Sequence, residues 1–524
     1  MQKKIIQYDV SRGRIPKPET IFRNVSFLKG HGLSGVLFYI ESVVENSVFP
    51  TCGCGETPIT TDYLVLVNEY LKKNNLEFIP LLQILGHQHN LMHIDSMAKH
   101  REIQNGGSCF RIDSPETTAK VKSWVAEVIC NFNSEFVHVG TDEVFTIGLG
   151  KSADIINMYG FETAIAKYLN DWCAFLKKLG KKMVMYADFL IQYPAIRDML
   201  SKDIILCNWG YGTYYNAYEK DNHNFSMHEF VTAGRRNWVA GVNGAEFTMI
   251  PFRQIEENVR IWIELGRKSD AGAFIIGDWG SWHNANSFSL SVTGSLYILK
   301  RLSQNDYSID DFMDDLSYEI LGDSNQEFKS AMKIMLLAQN NVDYFSRRLI
   351  EWAPFFPTLL YDDPDSKDLM RVASCLEQYG LISFEKDIRL AVKMIESVSN
   401  EKSKQSLLLD DLKHLAKRLL ALALRSRLCY EYAWNTGAFW VEEDKLIPNR
   451  EFLEEYLLLA KADIEWYIKQ WDSDNLATCR DKCLKMMTAA MESTKKTLIE
   501  PRNCKRLWPP AALQRLEKQG INRC

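Results

Sequence analysis

The residues best suited to acid–base chemistry in this chain are Asp142 and Glu143. They end the segment FVHVGTDEV at residues 136–144, in which an apolar, strand-like run leads through Gly140 and Thr141 to the two carboxylates. Cleavage of a glycosidic bond needs two such groups, because a protonated acid assists the departing oxygen while an ionised group stabilises positive charge at the anomeric carbon. Adjacent strand residues point to opposite faces, so both acids can share a site only where the strand ends. The alternative is a surface pair at the start of a helix, where acids favour the positive end of the helix dipole.

Short apolar runs rich in β-branched residues alternate with longer helical patterns as far as residue 302. This alternation is typical of parallel β/α units, and eight of them predict an α/β fold with a closed (β/α)8 TIM barrel. The predicted strands cover residues 5–8, 35–40, 77–83, 136–140, 182–187, 203–208, 238–242 and 271–277. Apolar spacing of three and four residues predicts intervening helices at residues 61–73, 117–130, 162–179, 253–266 and 287–302.

Polar and aromatic residues follow nearly every predicted strand. Barrel enzymes place their chemistry at the C-terminal ends of the strands, so we expect these side chains to meet at one end of the barrel. In chain order the strand-end candidates are Asp9, Arg12, Glu41, Gln83, His87, His89, Asp142, Glu143, Asp188, Trp209, Tyr211, Glu246, Asp278 and Trp279.

The strand signal ends near residue 305, and the rest of the chain has a different pattern. Long amphipathic helices are predicted at residues 407–432, 454–471 and 477–498. The sequence therefore predicts a catalytic barrel at residues 1–305 and a mostly α-helical C-terminal domain at residues 306–524. Since no Gly/Ser-rich linker separates them, we expect the two domains to dock tightly.

The composition excludes several classes of protein. With 46% hydrophobic and 25% charged residues, the chain is typical of a soluble globular protein. A net charge of -5 and a pI near 6.1 give no basic footprint for nucleic acid, and no apolar run approaches the ~20 residues of a membrane span. The N-terminus lacks a secretion signal and the 12 cysteines are scattered, which predicts a cytoplasmic chain with reduced thiols. A homodimer is compatible with these properties.

Three motifs together resemble glycoside hydrolase family 20, the β-N-acetylhexosaminidases. HVGTDEV at residues 138–144 matches the catalytic motif of that family, and DVSR at residues 9–12 looks like its first-strand sugar-binding motif. LGH at residues 85–87 is similar to its turn after the third strand. Because the sequence begins directly at the barrel, it looks most like the hexosaminidase D type and related bacterial intracellular enzymes.

The resemblance implies a reaction as well as a fold. Family members remove terminal β-linked N-acetylglucosamine or N-acetylgalactosamine with retention, and the substrate's own 2-acetamido oxygen attacks the anomeric carbon. On this resemblance Glu143 is the general acid and later the base, Asp142 orients the acetamido group, and no cofactor or metal takes part. Two carboxylates this close repel each other, so we expect one of them to keep its proton to higher pH.

The resemblance also implies substrate-binding roles for other strand-end residues. Arg12 would donate to ring hydroxyls, although a structural ion pair with Asp9 is the alternative. His87 would bridge Glu41 and Glu143, or else be a histidine satisfied within the barrel rim. The implied substrate-binding residues are Arg12, Glu41, His87, Asp188, Trp209, Tyr211, Asp278 and Trp279.

Particular contacts follow for the later strands. Tyr211 would hydrogen-bond the acetamido carbonyl, and Asp278 would bind outer hydroxyls of the sugar. Trp209 and Trp279 would stack against the sugar, or else pack only within the barrel rim. Gly210 stands where relatives commonly carry an acid, and the seventh strand end lacks an expected tryptophan. These departures leave the sugar preference open.

Three other functions compete with this interpretation. His87, His89, His138 and Asp278 resemble the ligands of metal-dependent amidohydrolase barrels, but their His-x-His motif follows the first strand, whereas here it follows the third. A catalytically inactive sugar-binding protein is a second alternative, against which the intact acid pair argues. A retaining glucosidase that uses Glu143 with Glu246 is a third.

Overall fold

The computed structural model contains a closed barrel of eight parallel strands that pair in chain order, with β8 returning to β1. This confirms the predicted TIM-barrel class. The structure describes residues 1–53, 57–210, 230–243, 252–280, 287–338, 381–401, 403–433, 450–476 and 480–499. The strands are β1 (Lys3–Asp9), β2 (Gly35–Ile40), β3 (Glu77–Leu82), β4 (Phe136–His138), β5 (Lys182–Tyr186), β6 (Ile205–Trp209), β7 (Asn237–Val242) and β8 (Ala273–Asp278).

Helices surround the barrel and connect its strands. The long ones match the predicted helical segments to within a few residues, and Thr61–Lys73 matches fully. They are α1 (Pro18–Lys29), α2 (Thr61–Lys73), α3 (His89–Met92), α4 (Pro115–Ile129), α5 (Ala153–Tyr159), α6 (Phe161–Lys178), α7 (Asp188–Gln192), α8 (Ala195–Met199), α9 (Phe252–Lys268) and α10 (Phe288–Ser303).

Alternation along each strand divides the barrel residues into two layers. On β2, for example, Leu37 and Tyr39 belong to an apolar cluster inside the barrel, whereas Phe38 and Ile40 pack in the layer between strands and helices. Successive strand side chains point to opposite faces, so each strand sends every second residue into the barrel. At the C-terminal ends, this register decides which candidates reach the mouth.

Beyond the barrel, the described residues form a helical domain, as predicted. Its helices continue one large apolar cluster that starts in the outer layer of the barrel and reaches Leu453 and Tyr456. This continuity agrees with the expectation that the two parts dock tightly. Among the described residues, no helix is long and apolar enough to cross a membrane. The helices are α11 (Ile309–Leu321), α12 (Gln326–Leu337), α13 (Leu381–Glu396), α14 (Ser406–Ala433), α15 (Arg450–Asp474) and α16 (Arg480–Ile499).

Candidate active site

Strand β4 ends at His138, two residues earlier than predicted, because the chain leaves the extended conformation. Gly140 and Thr141 have φ angles of 66° and 77°, and Glu143 has a φ of 50°. Positive φ is unusual for any residue with a Cβ atom and a genuine outlier for β-branched threonine. The turn places both acids at the mouth, with Asp142 7% and the Glu143 side chain 42% exposed.

Gln83 holds this turn in place from the end of β3. Its Oε1 accepts a hydrogen bond from Thr141 N at 3.1 Å, and its Nε2 donates to Asp142 Oδ1 at 2.7 Å. A Cβ atom on residue 140 would lie 1.9 Å from Gln83 Oε1, so only glycine fits there. One buried amide therefore supports both the strained backbone and the carboxylate orientation.

His87 brings the two acids into one electrostatic unit. Its Nε2 lies 3.1 Å from Asp142 Oδ2 and 3.6 Å from Glu143 Oε2. Burial disfavours the imidazolium, but the charge of Asp142, with Glu41 and Glu143, outweighs it and raises the pKa of His87 to about 9. The contact that the sequence implied with Glu143 is present, but the shorter one is with Asp142.

The two acids respond to this environment in opposite directions. Burial opposes ionisation of Asp142, yet the charge of His87 and the hydrogen bonds from His87 and Gln83 lower its pKa. For Glu143, burial and the Asp142 charge raise the pKa. These directions agree with the expectation that one member of the pair keeps its proton. The arrangement therefore favours the ionised form of Asp142 and the protonated form of Glu143.

Glu41 and Asp188 lie on either side of the pair. Burial and the charge of Asp9 raise the pKa of Glu41 to about 8, and Tyr39 donates its hydroxyl to Glu41 at 3.3 Å. Burial and the Asp142 charge raise the pKa of Asp188 to about 7. Asp188 Oδ2 accepts a hydrogen bond from the backbone N–H of Glu143 at 3.0 Å. Asp188 thus fixes the main chain of the acid residue.

Arg12 and two tryptophans complete the described part of the mouth. Arg12 Nε lies 3.3 Å from Asp9 Oδ2, and its guanidinium carbon is 5.7 Å from the Trp279 ring centroid. The Arg12 side chain is nevertheless 36% exposed, so the ion pair leaves part of it open to solvent. Trp209 donates its indole N–H to Asp188 Oδ1 at 3.2 Å. Both tryptophans pack with the apolar cluster inside the barrel.

Asp278 does not join this group, contrary to its predicted substrate contact. Within β8, Ile275 belongs to the interior cluster and Ile276 to the outer one, so Asp278 faces the layer between barrel and helices as Ile276 does. There Asp278 is buried, with Ser291 and Asn243 as hydrogen-bond partners. Burial raises its pKa to about 6, and the charge of Arg14 opposes this rise. The correction follows from alternation within β8, because Asp278 lies two residues after Ile276 and points to the same side.

The proposed metal ligands do not converge. His138 lies inside the barrel against Tyr186, with ring centroids 4.3 Å apart, and burial lowers its pKa to about 3. His87 faces the acid pair, whereas Asp278 lies on the other side of the barrel wall. Across the described parts of the chain, no group of three histidine, cysteine, aspartate or glutamate side chains has the spacing to hold a metal ion.

Two sequence candidates, Tyr211 and Glu246, lie outside the described residues. Gln83 was recognised from the sequence only as a strand end, with no role assigned to it. Its inward position follows from alternation with Leu81, but its contact with the turn depends on how β3 and β4 meet in three dimensions.

Comparisons with known proteins support the family resemblance. Residues 60–232 match the family model "Glycosyl hydrolase family 20, catalytic domain". The matched segment contains His87, Asp142, Glu143, Asp188 and Trp209. The resemblance inferred from the motifs is thereby confirmed. No match was found among curated protein sequences.

Solved structures extend the comparison to the whole fold. The chain is similar to a chitobiase from Flavobacterium johnsoniae, with 13% identity over 88% of this chain and 78% of that one, and a TM-score of 0.51. It is also similar to a GH138 enzyme targeting pectin rhamnogalacturonan II, with 12% identity over 100% of this chain and 69% of that one, and a TM-score of 0.54. At these identities the two matches support the fold alone.

A third structure aligns over a shorter region. The GH20 exo β-N-acetylglucosaminidase from Vibrio harveyi has 14% identity over 57% of this chain, with a TM-score of 0.42. The aligned part spans about half of the Vibrio chain, at 53%.

Proposed function

From the family 20 catalytic-domain match, we propose that the chain is an exo-acting β-N-acetylhexosaminidase that hydrolyses terminal β-linked N-acetylglucosamine or N-acetylgalactosamine. One observation carries the proposal: the adjacent acids Asp142 and Glu143 face a single imidazole, and the pKa of one is lowered while that of the other is raised. Substrate-assisted cleavage needs this division between an ionised acceptor and a proton donor.

The mechanism follows from the two protonation states. The substrate's acetamido oxygen attacks the anomeric carbon while Glu143 donates its proton to the departing glycosidic oxygen. The Asp142 carboxylate accepts a hydrogen bond from the acetamido N–H and stabilises the positive charge of the oxazolinium intermediate. Glu143, now ionised, removes a proton from the water that reopens this ring at the anomeric carbon. Two inversions at that carbon give net retention.

Neighbouring groups supply binding and orientation. Arg12 presents a guanidinium beside Trp279, which suits hydrogen bonding to ring hydroxyls next to an aromatic wall. Trp209 is held by Asp188 and serves as a second wall. Glu41 and His87 tune the charge of the acid pair. The hydrogen bond from Tyr211 to the acetamido carbonyl stays a prediction. Asp278 is assigned to support of the barrel wall.

We place the boundary between the catalytic barrel and the helical domain at residue 305, because α10 ends at Ser303 and α11 starts at Ile309.

We propose a cytoplasmic location because the described cysteines have free thiols. They are Cys52, Cys109, Cys130, Cys173 and Cys207. The carbohydrate is the proposed partner, and neither nucleic acid nor membrane is expected at this charge. A homodimer stays a prediction that sedimentation of the purified chain can measure.

The test is turnover of four aryl β-glycosides: the N-acetylglucosaminide, N-acetylgalactosaminide, glucoside and galactoside, each with and without chelator. We expect release of the aryl group from one or both N-acetylhexosaminides, unchanged by chelator, because the nucleophile is the acetamido group itself. Efficient cleavage of the plain glucoside would instead support a glucosidase with two protein carboxylates. Saturable binding of N-acetylhexosamine without turnover would identify an inactive sugar-binding protein.

A further inference from the structure

The segment that follows Arg12 is bound to the far end of the chain. Lys17 N donates to the carbonyl oxygen of Asp474 at 2.8 Å, and Leu476 N donates to the carbonyl of Ile15 at 2.9 Å. Thr20 Oγ1 donates to the same Asp474 carbonyl at 3.0 Å. These bonds join the loop between β1 and α1 to the C-terminal end of α15, in the helical domain.

The carboxylate of Asp474 strengthens this junction. It is buried, at 3% exposure, and its Oδ1 accepts from Arg23 Nη2 at 2.9 Å while Oδ2 accepts from Gln470 Nε2 at 2.8 Å. Helix α1 starts at Pro18, and its cap residue Lys17 makes no side-chain capping hydrogen bond. An anion and a carbonyl acceptor at a helix N-terminus are stabilising. Asp474 therefore binds both the residue before α1 and the first two turns of α1, through the Lys17 N–H, the Thr20 hydroxyl and the Arg23 guanidinium.

Only two residues separate this junction from the candidate sugar ligand. Arg12 is held by Asp9 and by the carbonyl of Gly280, to which its Nη1 donates at 3.3 Å. Gly13, with a φ of 77°, and buried Arg14 lead from there to Ile15. The direction of Arg12 thus depends on two anchors, one on the barrel rim and one on the helical domain.

Arg14 provides an electrostatic link between the same two regions. Its guanidinium carbon lies 3.5 Å from the Phe288 ring centroid, and the carboxylates that act on it are Asp278 of β8 and Asp474 of α15. A buried guanidinium needs counter-charge, so Arg14 favours a geometry that keeps both acids near it.

We propose that the helical domain forms part of the substrate-binding apparatus, with Asp474 as a positioning residue that fixes the β1–α1 segment and hence Arg12. This assigns a role to a domain that lies outside the segment matched by the family model. The predicted effect on sugar binding rests on the proposed function. Because Asp474 touches no substrate, its loss affects binding of the sugar more than the chemical step.

The test compares Asp474→Asn with Asp472→Asn, which makes the same change of charge two residues away. The Asp472 side chain is 55% exposed and pairs with Arg480 at the surface. KM and kcat are measured on the preferred aryl N-acetylhexosaminide, below the melting transition of each variant. We expect Asp474→Asn to raise KM about tenfold with kcat within about twofold, as loss of uniform binding requires. Asp472→Asn should leave both constants unchanged.

A second measurement follows the segment itself. Hydrogen exchange of the Lys17 amide should be faster in Asp474→Asn than in the wild type, and unchanged in Asp472→Asn. If Asp474→Asn fails to fold, Arg23→Gln removes the partner of the same ion pair and carries the same expectations. An unchanged KM in a folded variant overturns the proposal. If the wild type turns over no N-acetylhexosaminide, the proposed function fails, and exchange at Lys17 then decides whether Asp474 fixes the segment.

Discussion

Two buried carboxylates of the helical domain, Asp463 and Glu385, have more positive charge around them than the carboxylates of the barrel mouth. In the helical domain, Asp463 lies 2.8 Å from both Arg418 and His414, and despite burial the Arg418 charge and the hydrogen bond from His414 lower the pKa of Asp463. Glu385 likewise contacts two arginines. Each of these two buried acids contacts two basic side chains, an arrangement that serves structure.

At the barrel mouth, carboxylates outnumber basic side chains. Among the described residues there, five carboxylates face two basic side chains, so burial and mutual repulsion keep protons on some acids at neutral pH. The pKa of Glu41 rises to about 8 and that of Asp188 to about 7. Shortage of positive charge thus marks a site for proton transfer. The carboxylates are Asp9, Glu41, Asp142, Glu143 and Asp188, and the basic residues are Arg12 and His87.

The largest expected effect comes from removing the proton donor at the mouth. Glu143→Gln should lower kcat by about 10²- to 10⁴-fold on substrates with poor leaving groups, since the departing oxygen then lacks a proton. Activated aryl leaving groups should lose less in the first step. Asp142→Asn should reduce turnover whatever the leaving group. Equal losses for good and poor leaving groups in Glu143→Gln would contradict its assignment as the acid.

Removing an acid from the helical domain should affect stability instead. Asp463→Asn leaves Arg418 buried beside an uncharged partner, which should cost ~3–5 kcal/mol of unfolding free energy. Urea denaturation measures the loss, and the folded variant should keep the wild-type pH profile of kcat/KM. Asp310→Asn, at an exposed ion pair with Lys333, is the control and should cost ~1 kcal/mol or less. A displaced pH profile in Asp463→Asn would remove the distinction between the two regions.

Neutralising His87 makes the shortage of positive charge at the mouth more severe. The imidazolium lowers the pKa of both Asp142 and Glu143, so His87→Gln should raise both. Activity requires ionised Asp142 and protonated Glu143, hence the acidic and the basic limb of kcat/KM should both move to higher pH. His89→Gln, in the same turn, is the control and should move neither limb. A shift of either limb to lower pH would contradict the conclusion that the His87 imidazolium lowers the pKa of both acids.

The smallest expected effect comes from removing the Gln83 amide, which hydrogen-bonds Thr141 N and Asp142. Gln83→Met removes the amide that lowers the pKa of Asp142, so the acidic limb alone should move to higher pH. Gln88→Met, which removes another buried amide from the same loop, should leave the pH profile in place. Movement of the basic limb in Gln83→Met would indicate that Gln83 acts on Glu143 as well.

The sequence predicted the barrel and most of its mouth because both depend on local periodicity. Strand alternation, together with the rule that chemistry lies at strand ends, is enough to bring Arg12, His87, Asp142 and Glu143 into one group. The predicted eighth strand ends before Asp278 and Trp279, whereas β8 extends to Asp278 and its alternation turns that side chain outward. The prediction placed both at the mouth, and the structure places Asp278 behind the barrel wall.

What the sequence alone determined is therefore the order of the strands, the helical character of the second domain and the acid pair with its family resemblance. These properties are encoded in neighbouring residues. Only the tertiary structure decided that Gln83 supports Asp142, that His87 lies nearer Asp142 than Glu143, and that Asp474 joins the segment behind Arg12. Such contacts join residues from 55 to 457 positions apart, and no local pattern encodes which side chains meet when a closed barrel and its docked helices are packed together.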